Sequence, residues 1–179
     1  MSAPARAKPA SAPFSRALAT LRAAEGRIFL AAVLHVRVRG DVVCEVPLGT
    51  LVPDGARVAP DTPFDLASVT KVFASTAMLA LLDRRLVALD DPLVSVVPEF
   101  VGPDPRRAAV TFRHLLTHTS GLPAHSNLRD EASPRAILAR VCAMPLEAAP
   151  GLEVRYSDLG FMLVGVAIER LLGKPLAQC

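Results

Sequence analysis

The sequence predicts an α+β protein, in which one β-hairpin near the N-terminus is followed by a mostly helical region. Two runs rich in β-branched residues, 28–38 and 42–48, flank a turn formed by Arg39, Gly40 and Asp41. Later apolar runs have helical spacing and are bounded by capping residues, prolines and glycines. The 179 residues, 51% of them hydrophobic, suffice for one domain with a buried core.

The N-terminal elements follow from composition and spacing. Residues 1–13 are rich in alanine, proline and serine, so we expect a disordered tail there and the domain over 14–179. Residues 14–25 have helical spacing, and Gly26 is expected to end that helix. The hairpin at 28–48 is marginal in water by itself, and no further strand is obvious along the chain.

Five helices are predicted after the hairpin. The first carries the apolar stretch 72–82, so we expect it to be buried on most sides. The predicted helices, with their start or stop signals, are 68–85, one beginning at Pro92 after an Asp91 cap, 112–118 after Thr111, 134–143 after Ser133, and 159–172 before Gly173.

Charge and cysteine usage exclude several classes of protein. The net charge of +3 comes from scattered arginines such as Arg106 and Arg107, which we interpret as solvated, and no nucleic-acid footprint is present. Cys44, Cys142 and Cys179 form no disulfide or metal-binding pattern. Because residues 1–13 lack a signal-peptide run and no apolar stretch could span a bilayer, we expect a cytoplasmic protein without membrane contact.

Ser68 and Lys71 form a Ser-x-x-Lys pair at the start of the first predicted helix. Residues three apart share one helical face, so the hydroxyl and the amine are expected within reach of each other. A lysine whose pKa is lowered by burial could take the serine proton. Lys71 is also one of only three lysines, and the apolar stretch 72–82 follows it. We therefore interpret Ser68 as a covalent nucleophile.

Three stretches carry a resemblance to a known family. They read Phe-Asp-Leu-Ala-Ser-Val-Thr-Lys over 64–71, Thr-Phe-Arg-His-Leu-Leu-Thr-His-Thr-Ser-Gly-Leu-Pro over 111–123, and Tyr-Ser-Asp over 156–158. Over roughly residues 15–179 the chain resembles the N-terminal half of serine β-lactamases and penicillin-binding proteins, especially class C β-lactamases and family VIII esterases. The resemblance implies a β-lactamase/transpeptidase-like fold, here truncated, with the main C-terminal sheet strands missing.

The resemblance also implies roles for four residues. Ser68 would be the nucleophile, Lys71 would assist its deprotonation, and Tyr156 would be a second acid–base group whose phenolate a nearby ammonium favours. Asp158 stands where class C enzymes carry asparagine. It either contacts substrate, directly or through a neighbouring group, or serves as the N-cap of the last helix, and both roles could hold.

The histidines offer a weaker signal. His114 and His118 are four residues apart, which is metal-ligand spacing on a helix, but no third ligand stands out. We favour structural roles for both, and predict neither a metal nor a cofactor. His35 alternates within a strand, which indicates an exposed or cross-strand residue.

The family's third motif, Lys-Thr-Gly or His-x-Gly, is absent before the chain ends at Cys179. We therefore expect this chain alone to be inactive or nearly so, because loss of one oxyanion donor costs roughly 100- to 1,000-fold. We also expect it to associate through the apolar face that the missing sheet would cover.

The function implied is hydrolysis of ester or amide substrates through an acyl-enzyme, in the manner of a carboxylesterase. Asp158 in place of asparagine and the lack of an export signal favour a small ester over a β-lactam. Two alternatives stay open. One is a β-lactamase or D-Ala-D-Ala peptidase, and the other is a non-catalytic, truncated homologue that acts as a binding protein.

Overall fold

A computed structural model describes residues 12–178 and divides the chain into two units, Met1–Asp65 and Leu66–Cys179. The predicted disordered tail lies outside the described residues, except that Ala12–Phe14 forms a 3-10 turn. The described helices and strands are α1 Ser15–Ala24, β1 Ala31–Val38, β2 Asp41–Gly49, α2 Thr70–Asp83, α3 Phe112–Leu116, α4 Pro134–Ala143 and α5 Asp158–Leu172.

The first unit contains the predicted hairpin. Strands β1 and β2 pair antiparallel, and the two-residue turn at Arg39 and Gly40 has φ values of 52° and 93°. Two consecutive positive φ values match the right-handed twist of the strands, which is why glycine is favoured there. The first strand begins at Ala31 rather than at the predicted residue 28, because the backbone turns just before it, where Gly26 donates its N–H to Phe29.

Within the described residues the sheet has two strands, as predicted. His35 faces Glu45 across them, with 2.9 Å between the imidazole and the carboxylate, so the cross-strand interpretation of His35 is confirmed. Cys44 and Cys142 are buried free thiols, while Cys179 lies outside the described residues. No helix in the described part of the chain combines the length and hydrophobicity that a bilayer crossing requires.

Helix α2 lies in the second unit. The expectation that this helix is buried on most sides is wrong. Ala74, Met78 and Leu81 form one buried stripe, along which α2 packs against α5. On another side Val72 and Phe73 are 63% and 62% exposed. Apolar residues therefore lie on two faces of α2, and only one of these faces is buried.

The predicted capping residues are found at ends of the other helices. Thr111 caps α3, and Ser133 caps α4, which has the predicted bounds. Gly173 ends α5 in the left-handed conformation, with φ 66°. The fully buried side chains around which α2, α3 and α5 pack are Met78, Leu93, Phe100, Phe112, Leu115, Leu159, Leu163 and Ile168.

Two expectations about polar residues in this unit are wrong. Asp91 does not cap a helix at Pro92; its carboxylate accepts the Ala88 N–H at 2.8 Å, and Pro92 precedes a 3-10 turn. Arg107 is not solvated but 2% exposed. Its guanidinium donates to three backbone carbonyls that end neighbouring segments, those of Phe100, Cys142 and Met144.

Candidate active site

Ser68 and Lys71 are in contact, as their spacing predicts. Ser68 lies in a 3-10 turn, Ala67–Val69, that leads directly into α2, and Lys71 is in the first turn of the helix. The lysine Nζ lies 3.2 Å from the serine Oγ. The hydroxyl is therefore at the N-terminal end of a 14-residue helix, where the helix dipole favours developing negative charge.

Lys71 has a carboxylate partner from the opposite side of the site. Its Nζ lies 2.5 Å from Asp158 Oδ1, and the lysine side chain is only 16% exposed. Burial disfavours the charged amine, but the hydrogen bonds to Asp158 and Tyr156 outweigh burial and raise the pKa of Lys71. The expectation of a net lowered pKa for Lys71 is therefore wrong, and Lys71 is an ammonium.

Tyr156 completes the group. Interactions of its phenol with Lys71 and with Ser68 lower the pKa of Tyr156 below its usual value of 10.0. The Lys71 Nζ also lies 4.7 Å from the centroid of the tyrosine ring. Half of the tyrosine surface is exposed, so a substrate can reach the phenol and the serine from solvent.

Asp158 is the first residue of α5 and not its cap. Ser157 is the N-cap, since its Oγ accepts the Gly160 N–H at 3.2 Å. The same hydroxyl donates to the Pro123 carbonyl at 2.6 Å, which ties the start of α5 to the loop after α3. Because Ser157 is the N-cap, the Asp158 carboxylate does not cap α5 and pairs with Lys71 instead.

A cavity of about 400 Å³ opens beside Ser68 between α2 and α5. Its polar lining residues are Ser68, Thr70, Lys71 and Asp158, and the others are apolar. The apolar lining residues are Ala67, Ala74, Phe161, Met162, Gly165 and Leu176. Phe161, Met162 and Gly165 follow Asp158 in the continuation of the third stretch of the family resemblance, whereas no motif in the sequence marked Ala74 or Leu176.

His114 and His118, which have the spacing of metal ligands on a helix, have different partners. His114 Nδ1 accepts the Thr111 N–H at 3.2 Å and completes a capping box at the start of α3. His118 Nδ1 accepts the Ser157 N–H at 3.1 Å, next to Tyr156. Among residues 12–178 no group of three histidine, cysteine or acidic side chains is placed to hold a metal ion.

A serine, an ammonium and a phenol gathered at the start of a helix, with a second helix opposite, form the arrangement expected from the resemblance to serine β-lactamases. The chain belongs to the beta-lactamase family, whose model matches residues 16–179. It is 38% identical to esterase EstB of Burkholderia gladioli over 144 residues, which cover 69% of this chain and 36% of that protein.

Two further relatives agree. The D-alanyl-D-alanine-carboxypeptidase/endopeptidase AmpH of Escherichia coli K12 is 33% identical over 126 residues, 66% of this chain and 33% of AmpH. The octameric penicillin-binding protein homologue from Pyrococcus abyssi superposes with a TM-score of 0.76 at 26% identity, over 91% of this chain and 40% of that one. The chain therefore spans about a third of the length of the curated relatives it matches, and the expected truncated form of the fold is confirmed.

Proposed function

We propose that the protein carrying this chain hydrolyses carboxylic esters through an acyl-enzyme on Ser68. One observation carries the proposal: Lys71 Nζ lies 3.2 Å from the Ser68 hydroxyl and 4.7 Å from the ring of Tyr156, whose pKa is lowered by its interactions with Lys71 and Ser68. A serine becomes an effective nucleophile when a positioned base takes its proton. The same contact pattern also explains which group is that base.

Tyr156 is the base in this proposal, because Lys71 is already protonated. The phenolate takes the Ser68 proton as Oγ attacks the carbonyl carbon, and the phenol then returns that proton to the departing alcohol. In the second half of the reaction Tyr156 takes a proton from water, the hydroxide adds to the acyl carbon, and Ser68 Oγ leaves with the proton. Lys71 stays charged throughout and stabilises the phenolate.

The cavity supports an apolar acyl group as the part of the substrate that is retained on Ser68. Apart from Ser68, Thr70, Lys71 and Asp158, the residues that line it are apolar, including Phe161 and Met162. Asp158, whose side chain is 48% exposed, adds a negative charge to the lining. A carboxylate-bearing β-lactam or D-Ala-D-Ala peptide would be repelled there, whereas a neutral ester would not.

The test is labelling and turnover in the full gene product that carries this chain, with residues 1–179 alone in parallel. A fluorophosphonate should add to wild type and to Ser75→Ala, a serine of the same helix, but not to Ser68→Ala, as read by intact mass. p-Nitrophenyl butyrate should be hydrolysed faster than nitrocefin. We expect residues 1–179 alone to react more slowly, since its site is open to water on the side where Tyr156 is exposed.

Each other outcome selects another function. Faster turnover of nitrocefin would identify a β-lactamase or a D-Ala-D-Ala peptidase. No labelling of Ser68 in the full gene product would identify a non-catalytic homologue that binds its ligand. Labelling that persists in Ser68→Ala would refute the assignment of the nucleophile.

We also infer that residues 1–179 self-associate through the exposed face of α2. Val72 and Leu79 lie two turns apart on one side of α2, Phe73 is adjacent to Val72, and each is more than half exposed. Sedimentation velocity should show a dimer whose population grows with concentration. Val72→Lys should shift the protein to monomer, while Asp83→Lys at the end of the same helix should not. A monomer at all concentrations would refute this inference.

A further inference from the structure

His118 contacts the chain on both sides of Tyr156. Its backbone carbonyl accepts the Arg155 N–H at 2.8 Å, and its ring Nδ1 accepts the Ser157 N–H at 3.1 Å. The imidazole also lies against the Tyr156 ring, with 4.5 Å between centroids and 37° between planes. One half-buried residue therefore fixes both the backbone and the ring of the tyrosine.

The Ser157 contact defines the protonation state of the histidine. A backbone N–H can only donate, so Nδ1 must be free of a proton and the neutral ring carries its proton on Nε2. The charged and titratable groups that face His118 are Lys71, Asp158 and Tyr156. Burial, together with the Lys71 ammonium, lowers the pKa of His118 below 6.5, while Asp158 acts in the opposite direction.

The backbone of His118 gives a second, independent indication. It has φ 58° just after the end of α3, a left-handed position that glycine or asparagine usually occupies. Such outliers persist where the surroundings enforce them, and they cluster at functional sites.

We propose that His118 is the positioning residue of Tyr156: the neutral imidazole holds the phenol against Ser68 and Lys71, and protonation releases it. A protonated ring carries N–H donors on both nitrogens, so it cannot accept from Ser157, and it places a second positive charge near Lys71. The inference rests on the proposed role of Tyr156 as base. Acylation should therefore fall on the acid side as His118 titrates.

The sequence supplies a probe of this event that needs no label. Within residues 1–179 Tyr156 is the one tyrosine and there is no tryptophan, so in a protein of these residues tyrosine fluorescence reports on Tyr156 alone. Emission is measured between about pH 4 and 8, the range in which histidines titrate. Wild type should show a step with its midpoint below 6.5, the ordinary value for this histidine.

Two substitutions separate positioning from simple packing. In His118→Asn the amide oxygen can accept the Ser157 N–H but does not titrate, and asparagine tolerates the left-handed backbone. His118→Phe keeps an aromatic ring against Tyr156 and loses the acceptor. His125→Asn is the control, because His125 is exposed on the same loop. Circular dichroism confirms that each variant is folded.

The expected result is a step in wild type and in the control that His118→Asn abolishes. Labelling of Ser68 by a fluorophosphonate should slow through the same pH range in wild type and not in His118→Asn. His118→Phe should label about 10- to 100-fold more slowly at every pH, as expected for a misplaced base.

The inference is overturned by a step that persists unchanged in His118→Asn, or by His118→Phe labelling at the wild-type rate. Failure of the proposed function looks different. In that case Ser68 is never labelled, while the fluorescence step still depends on His118. His118 would then position Tyr156 in a protein that does not carry out the proposed reaction.

Discussion

Substitution of Gly165 tests the proposal that the cavity beside Ser68 holds the acyl group of the substrate. Gly165 lies on α5 and lines the cavity, and a β-carbon added there would meet Leu176 Cδ2 at 3.6 Å, an ordinary contact. Gly165→Ala is therefore accommodated, and its methyl group takes space that an acyl chain would occupy. One methylene in an apolar pocket changes selectivity by roughly 10- to 200-fold. We expect the ratio of p-nitrophenyl octanoate to acetate hydrolysis to fall at least 10-fold.

The matched control is Gly160→Ala in the same helix. A β-carbon there would meet Leu115 Cδ2, also at 3.6 Å, but Gly160 is buried away from the cavity. Both changes replace glycine in a helix, which stabilises it by up to about 1 kcal/mol and raises Tm by about 2–4 °C in a chain of this size. An unchanged octanoate-to-acetate ratio in Gly165→Ala, or an equal change in both variants, would refute the acyl cavity.

Two further perturbations test the charged groups. Arg107→Met leaves three buried carbonyls without a donor and should lower the free energy of unfolding by about 3 kcal/mol or more, whereas the exposed Arg106→Met should cost less than about 1 kcal/mol; equal urea midpoints would contradict the buried role. Asp158→Asn removes a charge that raises the pKa of Lys71, of Tyr156 and of His118, so both limbs of the pH–rate profile for Ser68 acylation should move to lower pH. Limbs that stay in place would show that Asp158 does not set either ionisation.

Local signals were sufficient where a few neighbouring residues decide the structure. Thr111, Ser133 and Gly173 each satisfy backbone groups within their own helix turn, so their roles can be predicted without knowing the rest of the fold. The contact of Ser68 with Lys71 is local in the same sense, because it follows from helical spacing.

Expectations that depend on distant partners were less secure. Hydrophobicity indicates what a residue could bury but not which neighbour covers it, so the exposure of Val72 could not be predicted. Arg107 looks like any surface arginine until the carbonyls of Cys142 and Met144, more than 30 residues away, are placed around it. The pKa of Lys71 was predicted in the wrong direction because burial was considered without Asp158, its partner 87 residues along the chain.

The Asp158 carboxylate affects which group of the site could act as the base. An asparagine in its place could accept the Lys71 hydrogen bond but would leave the ammonium with one fewer negative charge to stabilise it. With Asp158, Lys71 is held charged by its carboxylate partner, so it cannot receive the Ser68 proton, and in the proposed reaction Tyr156 is the remaining base. The same negative charge opposes formation of the phenolate. A base that is harder to ionise depends more on being correctly placed, which is the task that the geometry gives to His118.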